Sequence, residues 1–347
     1  MSSAPDRKAT IEMSNTDATP TEILCQAENH PVGDTRNPRV EIITSREVPL
    51  GGPRAMPVRR TLPQRQRSLI GAWCFVDHYG PDDVSVTGGM DVAPHPHTGL
   101  QTVSWLFTGE VEHRDSNGVH AMVLPGEVNL MTGGHGICHS EVSTPATTTL
   151  HGVQLWVALP DSDRDTPRDF QHHVPEPIDL GGGTGRVFLG SLAGDTSPVH
   201  TFTPLLGVEI TVDPAATITF DVDPEFEHGV LVDTGEVALF DTVLQRAALG
   251  YVGTGVPRLT LTNRTGEPAR LILLGGTPFG EEIVMWWNFV ARSHDEIVAY
   301  RDAWQNESDR FGSVEGYVGD VARLPAPSLP NAQIRPRRNP PTVDPNC

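Results

Sequence analysis

Two short motifs carry the chemistry available to this sequence: His95-Pro96-His97 and His139-Ser140-Glu141. In an extended segment the side chains at i and i+2 point to the same face, so each motif can present two donors to one point. Three imidazoles and a carboxylate suit a divalent transition metal such as iron, and they leave positions for exogenous ligands. A single His-x-His arises readily by chance in a chain with 14 histidines. A second pair, also strand-placed and one small β-module downstream, favours a metal site over two structural histidines.

The residues between the pairs read as the strands that must position them. Residues 102–107, 111–114, 121–124 and 128–131 are short strand patterns, separated by Gly109-Glu110, the hairpin signal Asn117-Gly118 and the turn Pro125-Gly126. Gly133-Gly134-His135-Gly136 asks for tight or left-handed backbone just before His139. Antiparallel strands at this spacing, with donors near both ends, describe a small β-barrel holding a metal in its mouth. Cys138 alternates with His139 and should face away as a small apolar group. Upstream, residues 69–76 form an apolar strand pattern leading to the Gly80-Pro81 turn. Arg59 and Arg60 are expected at the surface, and His78, with no partner two residues away, as a hydrogen-bonded structural histidine. His113 and His135 could orient the ligands or stand by in turns.

Composition narrows the class. With 34 glycines and 31 prolines in 347 residues, many short strands joined by tight turns are expected, and the length suggests two domains. A formal net charge of -19 argues against general affinity for nucleic acid or anionic membrane. No stretch approaches the roughly 20 apolar residues that span a bilayer, and the first residues lack the apolar core of a secretion signal, so a cytoplasmic location is expected. Cys25, Cys74, Cys138 and Cys347 share no C-x-x-C spacing and read as neither a disulfide framework nor a zinc knuckle.

The run PHPHTGLQTVSWLFTGEVEHRDSNG, followed by PGEVNLMTGGHGICHSE and HGVQLWVALP, resembles the pirins, a branch of the cupin superfamily. RRTLP and FVDHYGP upstream fit the same pattern, and the resemblance spans about residues 39–305. It implies an all-β fold of two tandem cupin-type barrels. It also implies a metal, usually iron, on His95, His97, His139 and Glu141. Some pirins carry a Glu four residues past the second His, where this chain has Gln101, which leaves Glu141 as the candidate carboxylate ligand.

The barrel texture returns from residue 181 to about 276, and Thr108-Gly109-Glu110-Val111 recurs as Thr234-Gly235-Glu236-Val237. A gapless overlay of the copies sets Asp221 against His95 and Asp223 against His97. With no partner pair downstream, these two are read as an exposed acidic strand face, and the second barrel as metal-free. Ser293 and Glu296 form a capping box for a helix over about 294–305, with Ile297, Tyr300, Arg301 and Trp304 at helical spacing, expected to pack back on a barrel. The expected division is a disordered leader over 1–37, a metal-bearing barrel over 38–165, a second barrel with the helix over 166–305, and a mostly disordered Pro-rich tail over 306–347.

Four protein ligands on a six-coordinate ion leave two positions for a chelating substrate or for substrate and dioxygen. Several pirins are assigned quercetin 2,3-dioxygenase activity and others act as regulatory partners of proteins. The resemblance therefore implies an iron(II) oxygenase that opens a quercetin-like flavonol using O2, with Glu141 as ligand and proton acceptor. The alternative is a non-enzymatic, redox-sensitive partner protein that uses the same four ligands.

Overall fold

Burial follows the sequence patterns that specify the strands. Val111–Asp115 buries every second residue, whereas Leu100–Thr108 and Thr149–Ala158 are buried almost throughout and lie inside their sheet. The computed structural model describes residues 38–50, 56–337 and 339; the expected leader over 1–37 lies outside the described residues.

Two barrels repeat one plan, a seven-stranded antiparallel sheet facing a four-stranded one. In the first, the large sheet runs Asp169–His173, Val128–Thr132, Leu100–Thr108, Thr149–Ala158, Trp73–Asp83, Met56–Leu62 and Arg46–Leu50. Its small sheet runs Asp91–His97, Ile137–Ser143, Val111–Asp115 and His120–Val123. In the second barrel, Glu227–Val232 and Val237–Leu239 stand where Leu100–Thr108 and Val111–Asp115 stand in the first. The echoed motif marks the step between the two sheets both times. Gly109 and Gly235 take φ of 91° and 82° there, a region open to glycine at little cost.

The barrels pack through their large sheets. Trp73, Trp105, Val153 and Leu155 of the first share one buried cluster with Phe188, Leu231, Leu249 and Ile272 of the second. The chain crosses the expected domain boundaries at both ends. Glu41–Thr44 precedes the first barrel yet pairs with Ala248–Val252 of the second, and Asp169–His173 closes the edge of the first barrel's sheet.

The helix His294–Gln305 has the expected capping box, with Ser293 Oγ accepting from the Glu296 N–H. Ile297, Tyr300 and Trp304 are buried in one cluster with Val284, Phe289 and Ala291 and with Val58, Val92 and Leu106 of the first barrel. The segment that follows differs from the expected disordered tail. Phe311, Leu324 and Ala326 are buried in the same cluster, the Leu324 N–H donates to the Pro94 carbonyl at 2.8 Å, and order continues to an antiparallel bridge between Arg337 and Ile283. Proline suits an extended chain that uses side-chain anchors in place of a hydrogen-bonded ladder, so its abundance did not signal disorder here. Among the described residues no helix is long and apolar enough to cross a membrane.

Arg60 overturns the surface reading. It is buried, opposite Asp77 in the strand ladder, and forks to both carboxylate oxygens at 2.7 Å while lying over the Phe75 ring. Arg59 is half-buried and donates to the Gly80 carbonyl at 2.5 Å.

Candidate metal centre

Antiparallel pairing of Asp91–His97 with Ile137–Ser143 sets His139 directly opposite His95 and Ile137 opposite His97. The i, i+2 rule puts the His95 and His97 rings on one face, with centroids 5.0 Å apart. The His139 ring lies 4.3 Å from His95 and 4.9 Å from His97, and the two Nε2 atoms of His97 and His139 are 3.0 Å apart. One ring nitrogen from each of the three falls within 4.8 Å of the others. His95 donates its Nδ1–H to the Ala93 carbonyl at 2.9 Å, which leaves the Nε2 lone pair bare.

Glu141 stands beside this triad, not in it. The register slips between His139 and Glu141, so Glu141 opposes Val92 on one side and His113 on the other. Its carboxylate groups with His113 and His139 within 4.8 Å, and His139 is the member common to both sets. Ser104 Oγ lies 3.5 Å from Glu141 Oε1 and 3.0 Å from Gln154 Oε1. Gln101 faces elsewhere. It shares the strand face of Val103 and Trp105 toward the second barrel and donates to Thr132 Oγ1 at 3.0 Å.

The electrostatics suit a cation. His95, His97, His139 and Glu141 are 4%, 1%, 1% and 7% exposed. Burial pushes His95 down to about 4 and His97 and His139 well below the usual imidazole range, with mutual repulsion among the rings adding to the latter two. The rings are therefore neutral near pH 7, as ligands must be. Burial raises Glu141, opposed by His113 and by hydrogen bonds from Ser104 and Gln154. A buried, uncharged cluster of converging imidazole lone pairs next to a carboxylate fits a transition metal.

Of the other sequence candidates, His113 meets the cluster through His139, and the rest fall outside it. Cys138 turns away, as expected, with Sγ 3.5 Å from the Gly312 carbonyl, and His135 is half-exposed in the turn before the strand. Asp221 is an exposed ion pair with Arg258, and Asp223 Oδ1 accepts from the Glu225 N–H. Among the described residues no His, Cys, Asp or Glu group able to hold a metal lies within the second barrel alone.

Two features were missed from sequence. The first is the cover: Gly312, Leu324 and Phe289 lie against Cys138, Pro94 and Thr98, so the C-terminal segment closes over the strands that carry the histidines. The second is a cluster at the seam between the barrels. His78 is hydrogen-bonded, as expected, with Nε2 2.7 Å from Asp233 Oδ1, and His151 Nε2 reaches the same oxygen at 2.6 Å. Arg270 Nε donates to Asp233 Oδ2 at 2.7 Å. Arg59 Nε lies 3.4 Å from His78 Nδ1, and an Arg270 nitrogen lies 3.5 Å from His151 Nδ1. A guanidinium only donates, so both Nδ1 atoms accept and both Nε2 atoms carry hydrogens toward Asp233. That protonation pattern makes a hydrogen-bonded clamp and withholds the lone pairs a metal would need.

Known proteins match along most of the chain. The family model described as Pirin matches residues 55–157, and the Pirin C-terminal cupin domain matches residues 207–312. A Pseudomonas aeruginosa protein whose name provisionally assigns it as a quercetin 2,3-dioxygenase is 43% identical over 289 residues, covering 83% of this chain and 90% of its own length. A pirin-like protein of Caulobacter vibrioides is 34% identical over 258 residues, covering 72% of this chain and 88% of its own. The crystal structure of a quercetin 2,3-dioxygenase from Acinetobacter baumannii superposes with a TM-score of 0.80 at 38% identity, covering 86% of this chain and 97% of that one.

Proposed function

This chain belongs to the pirin family, and from that premise we propose that His95, His97, His139 and Glu141 hold one divalent transition metal, iron(II) first, for O2-dependent ring opening of a quercetin-like flavonol. The observation that carries the reading is the convergence of three buried, uncharged imidazoles on one point, within reach of a buried carboxylate. When bound, the ion supplies Lewis acidity toward a substrate hydroxyl and a meeting point for dioxygen. The chain's own groups bind and orient. His95 is aimed by the Ala93 carbonyl, and Ser104 and Gln154 steady Glu141. Glu141 stands off from His95 and His97, so its carboxylate, loosened from the ion, would take the proton of the flavonol hydroxyl.

A second reading has one observation on its side. The four ligands are almost wholly buried and the 311–324 segment closes over the strands that carry them. That closure favours a metal-dependent partner protein whose surface, not whose site, is read by another protein. Oxygen uptake and loss of flavonol absorbance by iron-loaded protein given quercetin separate the two. Turnover supports the oxygenase, while a fully loaded but inert protein supports the partner reading. His97→Ala should abolish stoichiometric metal uptake, and a variant that retains one ion per chain removes the site assignment under either reading.

A further inference from the structure

We infer that Asp115 and His113 are positioning residues that fix the tautomer of His139, an inference that rests on the metal reading above for its consequence but not for its geometry. The contacts run in one buried line. Asp115 Oδ2 lies 3.2 Å from His113 Nε2, His113 Nδ1 lies 3.3 Å from His139 Nδ1, and His139 Nε2 lies 3.0 Å from His97 Nε2. His113 and Asp115 are each 3% exposed.

A carboxylate can only accept, so His113 donates through Nε2 and offers the lone pair of Nδ1. That lone pair takes the Nδ1–H of His139. The Nε2 of His139 is then bare and directed at the point shared with His97 and His95. Asp115 itself is fixed by the hairpin turn, where its Oδ1 accepts the N–H groups of Asn117 and Val119 at 2.8 and 3.1 Å. The Asn117-Gly118 turn therefore sets, through two imidazoles, which nitrogen of His139 faces the metal. A backbone carbonyl does the same for His95. Outer partners of this kind typically change metal affinity by about 10- to 100-fold when removed.

The test uses Asp115→Asn, which keeps an oxygen for the turn amides but can also present N–H to His113 and so reverse the chain. Long-range proton–nitrogen-15 spectra of the metal-free wild type should show His139 as the Nδ1–H tautomer. D115N should shift that population and weaken binding of added Fe(II) or Ni(II) by about 10- to 100-fold in chelator competition, with the fold unchanged by circular dichroism. His113→Gln is the second variant and should weaken binding similarly. A wild-type His139 in the Nε2–H form, or D115N with wild-type affinity, overturns the inference. Because the tautomer is read without metal, it decides the inference even if the wild type takes up no ion, an outcome that would instead remove the metal reading.

Discussion

At the scale of single residues, the candidate centre is built on imidazoles that must stay uncharged to remain where they are. His95 and His228 are both buried and both pushed down to about 4, chiefly by loss of solvent. An unfolded histidine titrates near 6.5, so between about 6.5 and 4 the unfolded chain binds protons that the folded one refuses. Stability should therefore be fully present above about pH 6.5 and fall as the pH drops, by about 1.4 kcal/mol per pH unit for each such histidine. Urea unfolding of metal-free protein at pH 7 and pH 5 measures this; equal midpoints would contradict the burial of neutral rings. His228 contributes without any role at the centre, since neither of its ring nitrogens has a partner among the described residues.

At the scale of elements, the segment after the helix covers the strands that carry the histidines. Phe311 is 1% exposed, and its ring lies 5.9 Å from that of Phe289 and 5.5 Å from that of Trp304. Phe311→Ala should cost about 3–5 kcal/mol if the cavity stays open. A smaller loss would mean that the segment detaches without unfolding the barrel. In that case bound metal should be stripped faster by a chelator, and stripping rates of the two proteins distinguish the outcomes. The helix itself was readable from Ser293, Glu296 and the spacing of Ile297, Tyr300 and Trp304, because caps and helical periodicity are local. The ordered segment beyond it was not, because its anchors Phe311, Leu324 and Ala326 follow no period and acquire meaning only against the first barrel.

At the scale of the whole molecule, the two barrels are joined by an apolar seam that carries a charged knot around Asp233, with Glu209 and Glu227 of the second barrel accepting from Trp105 and Gly71 of the first elsewhere along it. Asp233, from the second barrel, accepts from His78 and His151 of the first and from Arg270 of its own. His78 is pushed down by burial even though Asp233 opposes the shift. Removing the carboxylate leaves Arg270 and two imidazole N–H groups without their acceptor. Asp233→Ala should lower stability by about 3–5 kcal/mol. It should also split a single thermal transition into two as the barrels uncouple; a single unshifted transition would show that the rest of the seam suffices without the Asp233 knot.

The sequence by itself determined what depends on spacing along the chain. The i, i+2 pairs, His95 with His97 and His139 with Glu141, lie on adjacent strands of one sheet, and the repeated Thr-Gly-Glu-Val marks the same step in both barrels. Only the tertiary structure decided what depends on partners from distant strands. It moved Glu141 out of the tight triad through a register slip, turned Gln101 toward the seam and buried Arg60 against Asp77. It brought His113 and Asp115 behind His139, and His151 and Asp233 to His78. The reason is physical: strand periodicity fixes which face a side chain takes, whereas register and packing between strands far apart in sequence fix what it meets there.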